Sequence, residues 1–255
     1  MWWKQWFVLL VLLLIGLFVA TRPVPMHQGI NYRVRVIKIP LYVKVMEFFE
    51  RDYHYRRLAE EIAGAEATDA AKAEAIFRWI GERLYAGTPQ GLPVVDDHVW
   101  HVIVRGYGED DQLADVMATL AAYVGVPSAV QRLRPGGLDG RIALALVQLD
   151  GRWVPVDPYR RFWFADAEGL PLDVETIRRH PLAVERIVGA CEIVGVPYAR
   201  FLETLEVPST ESDGALRASR QMPWRRCWIE FRRWWGGTWG WVSADDGRGL
   251  EVSLC

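Results

Sequence analysis

Cysteine is scarce in this chain: three residues in 255, Cys191, Cys227 and Cys255. None forms a C-x-x-C pair, so neither a thiolate zinc site nor a disulfide framework is indicated, and the odd count leaves at least one free thiol or an intermolecular bond. Net charge is equally scarce. Thirty basic residues face thirty-two acidic ones, giving a formal charge of −2, which lacks the concentrated basic surface that binding to nucleic acid requires. Internal repeats and low-complexity tracts are absent, which sets aside solenoids and disordered chains. What is present is an apolar fraction of 51% against 24% charged, enough for one well-buried domain with short appendages.

One long apolar run stands at the N-terminus. Gln5 to Thr21 is an uncharged stretch of 17 residues, near the lower end of the roughly 17–25 that cross a bilayer as a helix. Trp2, Trp3 and Trp6 precede it like an interfacial aromatic belt. Phe18-Val-Ala20 puts a bulky ring where signal peptidase prefers a small residue, which favours an uncleaved single-pass anchor over a removed signal peptide. Flanking charge, Lys4 on one side and Arg22, Arg33 and Arg35 on the other, leans slightly toward a cytoplasmic domain. A short N-terminal tail seldom crosses, however, and the expected location is periplasmic or extracellular.

The rest divides by pattern. Residues 1–21 are expected to form the anchor, 22–40 a stem with a strand over Tyr32–Ile39, 41–207 a folded domain, 208–221 a linker, 222–235 an amphipathic helix and 236–255 a tail. Within the domain, Tyr42 to Ala63 is helical in pattern. Thr68 can cap a helix running to Leu84, with Ala71, Ala75, Ile76, Trp79 and Ile80 on its apolar face. Residues 111–124 place Leu113, Val116, Met117, Leu120, Ala121 and Val124 on one face, and Gly125-Val-Pro127 ends that helix. Ser128–Arg134, Ile142–Leu149 and Trp153–Val156 read as strands, the last two joined by Asp150-Gly151, a type I′ hairpin signal. Helical segments are expected over Thr176–Gly189 and Tyr198–Leu205. In residues 222–235, Trp224, Cys227, Trp228, Phe231, Trp234 and Trp235 gather on one side while Arg225, Arg226, Arg232 and Arg233 stand elsewhere, the composition of a helix at a lipid surface or of one packing its rings on the domain.

The segment Gly106-Tyr-Gly-Glu-Asp-Asp-Gln-Leu-Ala-Asp115, its helix ending in Gly125-Val-Pro127, and Asp150-Gly-Arg-Trp-Val-Pro-Val-Asp-Pro158 together resemble the core of the transglutaminase-like superfamily. Ala71–Ile80 resembles the helix that precedes this core in the family. The resemblance implies an α+β, papain-like fold in which a central helix packs on an antiparallel sheet. It also implies a Cys-His-Asp triad, and here the cysteine falls on Asp110, the histidine on Ile142 and the aspartate on Asp157. A carboxylate suits the start of a helix electrostatically, worth about 0.5–2 kcal/mol as a cap, but it is a poor nucleophile toward an amide, and isoleucine moves no proton. Acyl transfer by the family's route is not expected.

Three readings follow. The domain binds a peptide, glycan or partner protein in the old substrate cleft, with Trp100, Tyr107, Asp110, Asp111, Gln112, Trp153, Asp157 and Tyr159 as candidate lining, in a bacterial cell-envelope or polysaccharide-assembly setting; no cofactor is called for. Alternatively, the cleft is refitted as a metal site by His98, His101 and Asp97, if the two histidines share one helical turn. A third reading makes Asp110 and Asp157 a carboxylate pair of the glycosidase kind. The double change Asp110→Cys with Ile142→His is expected to be tolerated if the placement of the triad is right.

Overall fold

The computed structural model describes residues 2–30, 33–92, 98–136, 140–209 and 218–235. Helix α1 (Trp2–Ala20) is long and apolar enough to cross a membrane, with none of its side chains buried. Next come two paired strands, β1 (Pro23–Ile30) and β2 (Arg33–Pro40), in register from Pro23↔Pro40 to Ile30↔Arg33. The expected stem with one strand is therefore a hairpin. Its first strand escaped the pattern because Pro23 and Pro25 read as strand breakers; prolines are tolerated where a strand has a free edge.

Helix α2 (Leu41–Ala63) follows directly, and its buried residues are Tyr55, Ala59 and Ala63, all in its second half. Helix α3 (Asp69–Arg83) starts as its sequence dictates: the Thr68 hydroxyl accepts from the Ala71 amide at 3.2 Å. Its buried face is Ala73, Ile76 and Ile80, so Ala73 takes the place anticipated for Ala71. A short strand β3 (Tyr85–Ala86), helix α4 (Val99–Arg105) and strand β4 (Tyr107–Gly108) lead into α5 (Asp110–Tyr123). Every residue of α5 from Gln112 to Ala122 is buried. That total enclosure marks α5 as the central helix, surrounded by protein on all sides.

Four antiparallel strands form the sheet, in spatial order β5 (Ser128–Leu133), β6 (Ile142–Leu149), β7 (Arg152–Asp157), β8 (Phe162–Trp163). At the β6–β7 turn, Asp150 and Gly151 take φ of 49° and 76°, the two left-handed residues that a type I′ hairpin needs. Period-two alternation then sorts β6 between two cores. Ala143, Ala145, Val147 and Leu149 join α2, α3, α4 and α5 in one cluster. Ile142, Leu144 and Leu146 join a second cluster on the far face, covered by α6 (Val174–Arg179), α7 (Pro181–Val188) and α8 (Tyr198–Leu202). The single helix expected over Thr176–Gly189 is two: His180 leaves the helical region at φ −130°, ψ 66°, and Pro181 opens α7, because a residue before proline is pushed out of the α conformation.

The last described element is α9 (Pro223–Trp235). It lies against α2, with the Arg226 guanidinium 5.3 Å from the centre of the Phe48 ring. Of the expected linker only Pro208, Ser209 and residues 218–221 are described, and the expected tail falls outside the described residues.

Candidate functional site

The N-terminal end of α5 is built by short-range rules. Helix α4 ends at Gly106, which has φ 78°, a left-handed cap that glycine adopts without strain. The chain then pairs in parallel with β3, Tyr85↔Tyr107 and Ala86↔Gly108. Gly108 is needed for space: a Cβ there would come within 2.9 Å of Val102 Cγ1 and 3.2 Å of Gln112 Cβ. The helix is capped by Glu109, whose side chain accepts from the Gln112 amide while the Gln112 side chain accepts from the Glu109 amide at 3.1 Å. The cap is thus one residue earlier than the Asp110 expected from sequence. Gln112 also accepts from Arg105, whose Nε donates to the Tyr107 carbonyl at 2.8 Å. Thr88 Oγ1 donates to Glu109 Oε1 at 2.8 Å, fastening the β3 loop over the helix start.

Asp110 occupies the first turn of α5, and both its oxygens are used. Oδ1 accepts from the Asp111 amide at 2.8 Å, and Oδ2 accepts from the Ala143 amide at 3.1 Å. One carboxylate therefore ties the helix start to the first residues of β6. Burial pushes its pKa above the usual carboxylate value, working against the amide of Asp111 that favours the charged form. Asp111 turns outward to pair with Arg132 at 3.2 Å.

Ile142 does not face this point. It is buried in the second cluster, on the far side of the sheet, and the residue whose backbone meets Asp110 is Ala143. Asp157 ends β7 and is completely buried. Its Oδ1 accepts from the Arg160 amide at 2.9 Å; its Oδ2 accepts from the Arg160 guanidinium at 3.0 Å and from the Tyr198 hydroxyl at 2.6 Å. Burial works against the Arg160 charge, yet Asp157 more than offsets it and holds the guanidinium above its usual range. Burial first, then Asp157, drives the Tyr198 hydroxyl well above its ordinary pKa. Arg160 is also attracted, more weakly, by Asp110, so its charge favours both carboxylates.

Of the expected lining residues, Tyr107, Asp110, Gln112, Asp157 and Tyr159 converge. The half-buried Tyr159 sits over the β3 loop, its hydroxyl 3.5 Å from the position of a Cβ built on Gly87, and its ring is 5.1 Å from the Arg160 guanidinium. Its hydroxyl pKa is raised by burial and by the nearby Glu109. Trp153 does not belong with this group. It pairs with Gln148, five residues along β6 from Ala143, about 16 Å at the usual strand rise, and it packs on the second cluster. Trp100 is turned to α2, stacked on His54 at 4.8 Å and edge-on to Tyr55.

His98 and His101 do come within one turn, their rings 5.8 Å apart. But His98 is the N-cap of α4, its Nδ1 accepting from the Trp100 amide and lying 3.3 Å from the Tyr55 hydroxyl. That nitrogen is taken up as a structural acceptor. Asp97 lies outside the described residues, and among the described residues no three of His, Cys, Asp and Glu are grouped to hold a metal ion. The carboxylate-pair reading meets a different obstacle: Asp157, with no exposed surface and three donors on it, offers nothing to a substrate.

Arg160, Tyr198 and Arg105 went unread in the sequence. Arg160 had a signal, three residues after Asp157 in Asp-Pro-Tyr-Arg, where an aspartate at a strand end receives the amide of a following turn. Tyr198 had none, being forty-one positions away and brought in by α8. One concave feature also lay outside the reading: a groove of about 350 Å³ between α3 and β8, floored by Phe77 and Trp163 with ring centres 5.5 Å apart, and edged by Glu74, Arg78, Glu82 and Arg161.

With this geometry in view, comparison with known proteins is informative. Residues 56–158 match the model of the transglutaminase-like superfamily. No curated protein matches the chain. Among solved structures it is similar to a "Putative Cysteine Protease" from Cytophaga hutchinsonii at 16% identity, covering 52% of this chain and 48% of that one, with a TM-score of 0.37. It is also similar to a "Putative Protease" from Parabacteroides distasonis at 15% identity, covering 62% and 41%, with a TM-score of 0.35. The chain spans less than half the length of each.

Proposed function

Proceeding from a transglutaminase-like core over residues 56–158, we propose that this chain is a membrane-anchored, non-catalytic member of that superfamily that binds a peptide or glycan chain, or the partner protein that presents one. The observation that carries this is the state of Asp110. The position that the resemblance gives to a nucleophile holds a carboxylate with both oxygens engaged by backbone amides, and the residue matching the base is an isoleucine buried on the opposite face of the sheet. A carboxylate with one backbone amide on each oxygen is held in place as an acceptor, and it is a poor nucleophile toward an amide. The start of the old catalytic helix thereby becomes a clasp between helix and sheet.

The surface left for binding runs from Tyr159 past Arg161 into the groove over Phe77 and Trp163. Partly exposed aromatic rings edged by both signs of charge suit a sugar ring or a peptide side chain together with its polar backbone. In this reading helix α1, long and apolar enough to cross a membrane, is the anchor, and the domain works outside the cytoplasmic membrane, at the cell envelope.

The test is turnover. The full chain in mild detergent is assayed for amine incorporation into a glutamine peptide, for peptide hydrolysis and for glycan cleavage. The reading predicts no activity above a denatured control. Turnover that disappears in Asp110→Ala while the fold survives overturns it.

A further inference from the structure

The face of α2 changes along its length. From Tyr55 onward the helix packs on the core, whereas its first four turns carry an apolar stripe on a different side, Tyr42, Val45, Met46, Phe49 and Tyr53, each between 44% (Val45) and 65% (Met46) exposed. Spacings of three and four residues put these five on one face. An exposed helix face is ordinarily polar, and a contiguous apolar one marks a contact surface.

Where this stripe lies is set by the chain before it. The Leu41 amide donates to the Arg22 carbonyl at 2.9 Å, so the first turn of α2 returns to the end of α1, and the β1–β2 hairpin between them is a closed excursion. The Arg22 guanidinium folds back over the Phe18 ring at 4.0 Å, the posture of a cation drawn toward the interface at a helix end. If α1 crosses a bilayer, its nineteen residues rise about 28 Å, and Arg22 emerges at the headgroup level. The stripe of α2 starts at that same level.

Helix α9 is held beside the same segment. Arg226 sits on Phe48, and the Gln221 carbonyl just before the helix accepts from Tyr123. This docking leaves Trp224, Trp228 and Phe231 outward, Trp224 at 76% exposure, with Arg225 and Arg232 exposed beside them. Tryptophan and tyrosine with flanking arginine are the side chains that settle at a lipid headgroup region.

We infer that the α2 stripe and α9 form one interfacial collar that lies on the lipid surface where α1 emerges and fixes the orientation of the domain above it. This rests on α1 acting as an anchor. Continuity with α1 selects lipid over a second copy of the chain, since the stripe begins at the point where the anchor leaves the membrane.

The test uses the full chain reconstituted in mixed phosphatidylcholine and phosphatidylglycerol vesicles, with Cys191, Cys227 and Cys255 changed to serine and one fluorophore placed through Met46→Cys, Trp228→Cys or, as an aqueous reference, Glu168→Cys. Quenching by nitroxide lipids is expected to be several-fold stronger from positions 46 and 228 than from 168. Equal quenching at all three overturns the inference. So does shielding of positions 46 and 228 from both nitroxide lipid and aqueous iodide, which would make the stripe a protein interface. Alkaline carbonate extraction separates the two layers of the argument: release of the chain refutes anchoring by α1, whereas retention with unquenched labels refutes the collar alone.

Discussion

Asp157→Asn is the perturbation that reads the buried network most sharply. The substitution keeps one oxygen for the Arg160 amide but replaces the charged oxygen that receives the Arg160 guanidinium at 3.0 Å and the Tyr198 hydroxyl at 2.6 Å. Arg160 has only 16% of its side chain exposed, and Asp157 none. Breaking a buried pair by removing one partner costs about 3–5 kcal/mol, because the remaining charge stays desolvated. Asp110 also attracts Arg160 and recovers part of this, so the expected loss is about 3 kcal/mol, at the low end of that range. At about 2–4 °C per kcal/mol for a domain of this size, the melting temperature falls by about 6–12 °C. The assay is thermal unfolding of the full chain in mild detergent, followed by circular dichroism. Tyr198→Phe, which removes one donor, is expected to cost about 1 kcal/mol, and the double variant is expected to lose less than the sum, since the two share one carboxylate. A loss below about 1 kcal/mol for Asp157→Asn would refute the reasoning, since Arg160 would then be reaching solvent at little cost.

Two further outcomes follow from geometry. Gly108→Ala puts a Cβ 2.9 Å from Val102 Cγ1 and is expected to destabilise the protein by about 1–3 kcal/mol as an overpacking change, readable as a lower melting temperature. Asp110→Cys with Ile142→His, expected from sequence to be tolerated, instead places an imidazole among Leu144, Phe164 and the rest of the second cluster; unless bonded, such a polar group costs about 1–3 kcal/mol, so the double variant should melt well below Asp110→Cys alone.

The distance between sequence and structure is instructive at particular residues. The Thr68 cap, the Asp150-Gly151 hairpin and the stop at Gly125-Val-Pro127 are local devices, each decided by two to four neighbouring residues, and the structure forms all three. The α+β core follows from them and from the order of elements. Strand parity was harder: a shift of one residue moves a side chain to the other face of the sheet, and this separates Ile142 from Ala143 as the neighbour of Asp110. Trp153 was misplaced for a related reason, since its position along β7 depends on register, which appears only once the strands pair. The Asp157–Arg160–Tyr198 network needed α8 to cross the far face, a tertiary event with no local trace. Trp100, a candidate lining residue from sequence, packs on His54 and Tyr55 of α2, a contact with no local trace either.

The most direct test of the account is the stability of Asp110→Ala against wild type as a function of pH. If Asp110 is the clasp between α5 and β6, the variant loses two acceptors of backbone amides and should be less stable by about 1–2 kcal/mol near neutral pH, two charge-assisted bonds set against the relief of a buried carboxylate. The pH dependence has a definite sign. Burial raises the folded pKa above the ordinary 3.8, so the folded state holds its proton more tightly, and the stability contributed by this titration is full below 3.8 and lost as pH rises through the folded pKa. The penalty of Asp110→Ala should therefore be largest in acid and shrink toward neutrality. An Asp110→Ala protein as stable as wild type or more so, the behaviour of a functional residue held at a cost to the fold, would contradict the account, as would a penalty that grows as pH rises.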